Sequence, residues 1–490
     1  MAKKPWIKST IGRRSQTGAS RAVGVGACSA GFGLGAGIGL VGPALGAAGI
    51  LAMGFGAVVA LNLPAAFAIW MYASLFEAVP VLELAVKGAT ILTCLAWAGL
   101  VGYRSEVLGG LLRRHGRLVA AVVLLVAWIS LSTTWSERPT IGPTLLAWYM
   151  AAALFLIAAT LVTREGHVRW IAAALIAGAV TLTLAGLGGT PLAPGLPFLG
   201  ALVEEDRLQG GVADPNLFSL LLVVSIALAG GLVRTTRRAR SRAGLMLVIA
   251  FLLVGVVATQ SRGGLVALLA GVVCALLLSR GRRVALLGVF LVLSAVPLVV
   301  FTVVPGALER FTIVEGGGTG RTEIWKVATA VAEDNPLLGV GIGNFPVHSP
   351  RYVDELGPLE QVDLVAEQLL VTHNAYLEVL VETGAVGLIL FLTVILGSLT
   401  AGWRAARRLD ALGEHSLAVL AQSVVVATVA FLAGTFFISS GFDERLWVLL
   451  GLGPALLAIA ARHGDSAAAP PPLPVERATP REPAGAAAGG

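Results

Sequence analysis

Three polar residues in an otherwise apolar chain have the side chains and neighbours needed for chemistry at a membrane boundary. Arg262 lies in the run at 259–264, Arg321 follows a glycine-rich run, and His373 ends a long polar segment. Two guanidinium groups suit the oxygens of a diphosphate, which they bind in bidentate fashion. An imidazole can remove a proton from a hydroxyl. These residues therefore suggest the transfer of a group from a lipid diphosphate to a hydroxyl, without ATP.

Each of these residues also has a simpler interpretation. Arg262 could extend its side chain to the lipid headgroups, as arginines at membrane boundaries do. Arg321 could be an ordinary residue at a helix start that pairs with Glu323, and His373 could be a surface histidine. No cluster of Cys, His and Asp has the spacing of metal ligands, so neither a metal nor a cofactor is expected.

Apolar helices must position these residues. Of the 490 residues, 56% are hydrophobic and 13% are charged, whereas a soluble domain has about 25% charged residues. This composition excludes a cytosolic enzyme, a disordered protein and a fibrous protein. It predicts an all-α polytopic membrane protein with about 12–14 transmembrane helices and one large extracytoplasmic loop that contains short helices.

Apolar runs of about 20 residues mark the predicted spans. They lie at 22–41, 44–61, 63–80, 84–103, 118–134, 141–162, 169–188, 215–233, 244–260, 263–279, 284–304, 375–402, 416–438 and 445–461. These runs give fourteen spans, and two features of the sequence leave a count of twelve open as the alternative. The glycine-rich region 22–61 could be one re-entrant pair, and 63–80 could lie partly in the interface.

The basic residues predict the orientation of these spans. Most of the 35 lysines and arginines fall on alternate loops, on the side of the N-terminus. The positive-inside rule then places both termini in the cytoplasm and the site outside. The net charge of +7 is therefore an orientation signal, and no nucleic-acid partner is expected. Membrane lipids are the expected surroundings.

Five regions follow from this topology. They are a basic cytoplasmic N-terminal segment (1–21), an N-terminal transmembrane bundle (22–304), a large extracytoplasmic loop (305–374), C-terminal transmembrane helices (375–461) and a disordered cytoplasmic tail (462–490). The loop is acidic, and its residues 323–334 have helical spacing. A long ordered loop between spans is a frequent location of functional residues.

Three runs carry a specific resemblance. They are T-Q-S-R-G-G at 259–264, G-R-T-E-I-W-K-V-A-T-A-V-A-E-D-N-P-L-L-G-V-G-I-G-N-F at 320–345 and T-H-N-A-Y-L-E-V-L-V-E-T-G-A-V-G-L-I-L-F at 372–391. Together they resemble the O-antigen ligase and O-antigen polymerase superfamily of bacterial envelope glycan enzymes. The stretch 214–218 also looks like a family element, with Asp214 as an N-cap and Pro215 as the first helical residue. The spans before it resemble the family only in hydropathy.

The resemblance implies a metal-independent glycosyltransferase of the inner (cytoplasmic) membrane. Its donor would be a glycan on a polyprenyl diphosphate, and its acceptor a hydroxyl of a lipid, glycan or protein. Arg262 and Arg321 would hold the diphosphate, and His373 would activate the hydroxyl, which attacks the anomeric carbon with inversion. The supporting residues would be Asn374, Tyr376, Asp214, Asn216 and Glu378.

Several alternatives stay open. Glu378 could orient His373 or could simply be solvated at the mouth of its helix, and His348 and Arg207 are weaker candidates. The leading hypothesis is an O-antigen ligase-like enzyme. A polymerase that joins lipid-linked repeat units shares the same donor site, and a protein O-glycosyltransferase is a third variant. A membrane transporter would need polar residues within the spans, and the predicted spans carry no clear chain of acids or histidines.

Overall fold

A computed structural model describes residues 43–138, 141–187, 203–204, 207–212, 214–278, 321–355 and 371–468. The predicted segment 1–21, the predicted spans 22–41 and 284–304, and the loop residues 305–320 and 356–370 lie outside these ranges. Residues 469–490 of the predicted tail also lie outside them.

The described residues are almost all helical. The helices are α1 (Pro43–Leu61), α2 (Leu63–Ala73), α3 (Pro80–Tyr103), α4 (Ser105–Ser132), α5 (Gly142–Leu161), α6 (Glu165–Leu187), α7 (Pro215–Thr235), α8 (Ala239–Ala258), α9 (Arg262–Leu278), α10 (Arg321–Asp334), α11 (Phe345–Glu355), α12 (Ala375–Ala411), α13 (His415–Gly434) and α14 (Glu444–Ala468). Before α7, β1 (Val203–Glu204) and β2 (Arg207–Leu208) form a short antiparallel ribbon.

The predicted fold class is confirmed. Within the described residues, nine helices are long and apolar enough to cross a membrane. The shorter apolar helices are Leu51–Leu61, Leu63–Phe76 and Arg262–Leu278. The short helices predicted for the loop are present as α10 and α11.

Several helices are longer than the apolar runs that predicted them. The run 118–134 belongs to α4, which begins at Ser105, so the expected loop at 104–117 is mostly helical. The helix α12 continues to Ala411 rather than 402, and α14 continues to Ala468 rather than 461. Hydropathy marks only the part of a helix that lies in hydrocarbon. Arginine and alanine are good helix formers, so the helix can continue past the apolar run.

The core lies where α12, α13 and α14 pack against α5, α7 and α9. Trp447 of α14 is fully buried and meets the rings of Trp148 and Phe155 edge-on, with ring centroids 6.0 and 6.3 Å apart. Edge-to-face contacts between buried aromatic rings add to the stabilisation from burial. These contacts hold α5 and α14 together.

A buried ionic group fixes the end of α2, which stops well before the predicted residue 80. Arg445, which is 3% exposed, donates to both carboxylate oxygens of Asp443, to Glu77 Oε1 at 2.8 Å and to the carbonyl oxygen of Ser74 at 2.8 Å. Ser74 begins the 3-10 turn Ser74–Phe76 that follows α2. The sequence by itself did not identify Arg445 and Asp443 as buried charges. A buried arginine needs this number of partners because an unpaired buried charge is very costly.

The loop is joined to α12 through a break in that helix. Gly384 has φ +67°, and the hydrogen bonds there go to the loop segment that follows α10. Ala385 donates its N–H to the Pro336 carbonyl at 2.9 Å, and Val340 donates to the Val381 carbonyl at 2.9 Å. Backbone groups freed by a helix break must find other partners when they are buried. The break therefore attaches α10 and α11 to the bundle.

Replacement of Gly384 by alanine should unfold this junction. A Cβ there would collide with the backbone carbonyl of Leu337, and the positive φ adds strain. We expect Gly384→Ala to lower the free energy of unfolding by about 3 kcal/mol or more, measured as thermal unfolding in detergent. Gly413 also has a positive φ, +79°, but a Cβ there meets no atom within 4 Å. Gly413→Ala should cost only about 1 kcal/mol, and equal losses would contradict the proposed junction.

Candidate functional site

The start of α7 is built as the sequence predicts. The Asp214 carboxylate accepts the N–H groups of Asn216 at 2.7 Å and Leu217 at 3.3 Å, and Pro215 is the first helical residue. This is the N-cap arrangement, in which a side chain satisfies amides that the helix leaves free. It fixes the position of Asn216, whose side chain is then available for other contacts.

Asn216 connects the start of α7 to the start of α9. Its Oδ1 accepts a hydrogen bond from Ser261 Oγ at 2.8 Å and one from Arg207 Nη2 at 3.4 Å. Arg207 also donates from Nε to the Thr259 carbonyl at 3.2 Å. These contacts place Arg207, a weaker candidate in the sequence, beside the run that contains Arg262.

Arg262 is the first residue of α9 and its side chain is exposed. The turn before it is strained, because Gln260 has φ +49°, a conformation that non-glycine residues rarely adopt. Ser261 Oγ accepts the N–H of Gly264 at 3.1 Å and so caps the new helix. Tight local geometry thus presents Arg262 at a helix N-terminus.

Arg321 is the first residue of α10 and is half-buried. Burial lowers the pKa of its guanidinium, Asp214 opposes that change, and Arg207 and Arg262 lower the pKa further. Charges shift the pKa of a group only when they lie near it, so the three arginines and Asp214 share one region. The structure therefore brings Arg262 and Arg321 together, although 58 positions separate them in the sequence.

His373 lies in the turn before α12, with φ +49°. Asn374 caps the helix by accepting the N–H groups of Tyr376 at 3.0 Å and Leu377 at 3.1 Å. Trp325 of α10 donates its indole N–H to the Thr372 carbonyl at 2.9 Å. The histidine turn is therefore held from both sides, by its own helix and by the helix that carries Arg321.

The environment of His373 favours the neutral imidazole. Its ring is half-buried, and burial lowers its pKa below the ordinary value of 6.5. The positive charge of Arg321 lowers the pKa further, while Asp214 raises it. A neutral imidazole can accept a proton at neutral pH, which an imidazolium cannot.

Four helix N-termini, those of α7, α9, α10 and α12, meet at this site. Hydrogen bonds join α7 to α9 and α10 to α12, and the charge of Asp214 acts on both Arg321 and His373. Helix N-termini carry partial positive charge and free amide groups. Together with the arginines, they form a site suited to an anion with several oxygens, next to a group that can take up a proton.

Comparison with protein families identifies the segment that carries this site. Residues 245–392 match the family model of the O-antigen ligase. The chain carries a domain of the O-antigen ligase/polymerase superfamily. The matched segment includes Arg262, Arg321 and His373, whereas Asp214 and Asn216 precede it. Its family indicates an O-antigen ligase-like or polymerase-type function in polysaccharide biosynthesis, in general terms. No curated protein matches the chain.

Two of the predicted supporting residues, Tyr376 and Glu378, make contacts away from the histidine ring. The Tyr376 hydroxyl donates to the Leu432 carbonyl at 2.8 Å and accepts from Thr435 Oγ1 at 3.4 Å, both at the end of α13. Glu378 hydrogen-bonds with Ser439. Ser439 Oγ lies 3.2 Å from Thr372 Oγ1, so Glu378 connects to the histidine turn through two hydroxyls.

Trp325 is a site residue that the sequence analysis did not single out. It lies four positions after Arg321, which places both on one face of α10. This four-residue spacing is the feature of the sequence from which Trp325 could have been predicted as a neighbour of Arg321. Its ring also packs against Phe436 and Phe437, with centroids 5.6 and 6.4 Å away. The other weak candidate, His348, lies on α11 and is half-buried.

The pKa of His373 can be tested by its reaction with diethyl pyrocarbonate, which modifies only the neutral imidazole. We expect modification to reach half its maximum below pH 6.5, as followed by peptide mass spectrometry. Arg321→Gln removes a repelling charge, so imidazolium persists to higher pH and the midpoint should rise. Lys326→Gln removes an exposed charge from the same helix and should leave the midpoint unchanged. An unchanged midpoint in Arg321→Gln would show that Arg321 does not act on His373.

Proposed function

We propose that the protein transfers a glycan from a polyprenyl-diphosphate carrier to a hydroxyl acceptor, as an O-antigen ligase-like glycosyltransferase. The observation that carries this proposal is the meeting of Arg262, Arg321 and a neutral His373 at converging helix N-termini. A cationic site alone would bind many anions. The adjacent proton acceptor adds what transfer to a hydroxyl requires.

The reaction follows from these groups. Arg262 and Arg321 bind the diphosphate, and His373 takes the proton of the acceptor hydroxyl as its oxygen attacks the anomeric carbon. The bond between that carbon and the diphosphate oxygen breaks, and its electron pair stays on the diphosphate. The two guanidinium groups stabilise the charge that develops there, which is electrostatic catalysis without a metal.

The diphosphate also acts on the base. In the free site, Arg321 holds the histidine pKa down. A bound diphosphate neutralises the arginines and favours the imidazolium that forms as the proton arrives. Donor binding thus prepares His373 to act as a base, while Asn374 and Trp325 keep its turn in place.

Orientation in the membrane belongs to the same proposal. We place the site at the outer face of the inner membrane, with both termini in the cytoplasm. The positive-inside rule supports this because the arginines at 113, 114 and 117 lie at the end of α4 away from the site. The chemistry fits that face, since the leaving diphosphate supplies the driving force and ATP is not required.

Substitution of the three central residues tests the mechanism. Arg262→Ala, Arg321→Ala and His373→Ala should each reduce transfer at least about 100-fold in a purified assay, without loss of membrane insertion. Arg262→Lys and Arg321→Lys should also fail, because an ammonium cannot make the bidentate contact. Lys326→Ala, an exposed cation on α10, is the matched control and should retain activity. Normal products from any of the three alanine variants would refute the assigned role of that residue.

The acceptor can be identified from the lipid-linked glycans of a deletion strain. A ligase acts on finished chains, so its loss should leave long chains on the carrier. A polymerase joins repeat units, so its loss should leave single repeats. Mass spectrometry of the extracted carrier lipids separates the two, and single repeats would refute the ligase in favour of the polymerase. Complementation with His373→Ala should give the same lipid profile as the empty vector.

A further inference from the structure

A second positively charged region surrounds a cavity at the opposite end of the bundle. The cavity has a volume of about 720 Å³ and lies between α4, α12 and α14. Its lining includes the four arginines Arg113, Arg114, Arg117 and Arg404. Between Arg113 and Ser132 the helix α4 rises roughly 28 Å, at 1.5 Å per residue. Ser132 contacts the loop segment at Ile342, so the cavity and the arginine–histidine site lie at opposite ends of α4.

These arginines have little to balance their charge. The described residues that line the cavity include no carboxylate. Arg113, Arg117 and Arg404 are exposed and form no ion pair with any described residue. Arg114 donates to the Ala458 carbonyl at 3.3 Å, which ties the rim to α14. Four cations around one cavity repel each other and attract an anion.

The helix that carries three of these arginines is broken at the cavity. His115 has φ −133° and ψ 30°, outside the helical range, within α4. Its Nε2 atom is buried and has no hydrogen-bond partner among the described residues. A buried polar atom without a partner is costly and is uncommon in folded proteins. A ligand with oxygen atoms in the cavity would offer partners to polar groups along this wall.

The sides of the cavity are apolar and face outward. Leu112 and Leu396 line it and are 46% and 62% exposed, which in a membrane means exposed to lipid. A cation cluster beside such surface suits a molecule with an anionic head and acyl chains. Basic pockets between transmembrane helices bind anionic lipid headgroups in this way.

We propose that this cavity is a binding site for the phosphate headgroup of an anionic phospholipid. The arginines contact the headgroup, and the acyl chains lie along the exposed leucines. This site is separate from the diphosphate site and does not depend on the proposed transfer reaction. The exposed apolar flanks favour a lipid over free phosphate, which would gain nothing from them.

The test uses the purified full-length protein in a neutral detergent, titrated with phosphatidylglycerol. Lipid binding is read from the midpoint of thermal unfolding and from native mass spectrometry. Phosphatidylglycerol should raise the midpoint, and phosphatidylcholine and inorganic phosphate should not. The variant Arg113→Gln/Arg117→Gln/Arg404→Gln should weaken the apparent affinity roughly 100-fold, since each arginine near the membrane surface contributes about 1 kcal/mol. The single variant Arg404→Gln should weaken the apparent affinity several-fold.

The matched control also replaces three arginines, at the same end of the bundle but outside the cavity. Arg237 and Arg238 lie between α7 and α8, at the end of α7 away from the site, and Arg240 lies in the first turn of α8. All three are exposed and do not line the cavity. Arg237→Gln/Arg238→Gln/Arg240→Gln should therefore bind phosphatidylglycerol as the unmodified protein does. Equal weakening in both triple variants would reduce the effect to general surface charge and overturn the site. Equal protection by inorganic phosphate would overturn the lipid as the source of the ligand.

Discussion

Repulsion between cations is the constraint on which the arginine–histidine site depends. The charges of Arg207 and Arg262 act on Arg321, and the charge of Arg321 acts on His373, while the carboxylate of Asp214 opposes both effects. Helix N-termini add further positive potential. Such an arrangement persists only if the surrounding structure holds it. A ligand with several negative charges would relieve this repulsion, which is why we propose a diphosphate as the ligand of the site.

The contacts that oppose this repulsion are short, specific and located at helix starts. Ser261 and Asn216 join two helices, and Trp325 joins the helix of Arg321 to the turn of His373. Gln260 and His373 both have φ +49°, a conformation with a cost of about 1–3 kcal/mol. Strain of this kind persists where neighbouring contacts hold the backbone in place. Here the strained turns position Arg262, which follows Gln260, and His373.

Attachment of the loop to the bundle lets residues from distant parts of the chain form one site. The break at Gly384 leaves backbone groups of α12 without partners in the helix. The loop segment after α10 forms hydrogen bonds with these groups. Glu382 beside it accepts the N–H groups of Gly343 and Phe345. The small core of α10 and α11 includes Val327, Val331 and Phe345 and packs against Val381 of α12. Gly339, Gly341, Gly343 and Gly384, which have positive φ angles, therefore serve the packing of this junction, whereas Arg321 and His373 are the residues proposed for the chemistry.

The sequence by itself determined the helical membrane fold, the N-cap at Asp214 and the choice of Arg262, Arg321 and His373. Each of these depends on local composition or on residue type, which a chain displays without folding. The helix ends were predicted less accurately. Hydropathy marks the part of a helix that lies in hydrocarbon, and it does not mark the residue at which the helical hydrogen bonds end.

Only the tertiary structure decided which distant groups meet. It brought Arg207 and Trp325 to the site, directed Glu378 to Ser439, and buried Arg445 with Asp443 and Glu77. It also gathered arginines of α4 and α12 around one cavity. These pairings depend on how helices pack, and no spacing along the chain encodes them. The pKa of His373 is of the same kind, because burial and the charge of Arg321 exist only after folding.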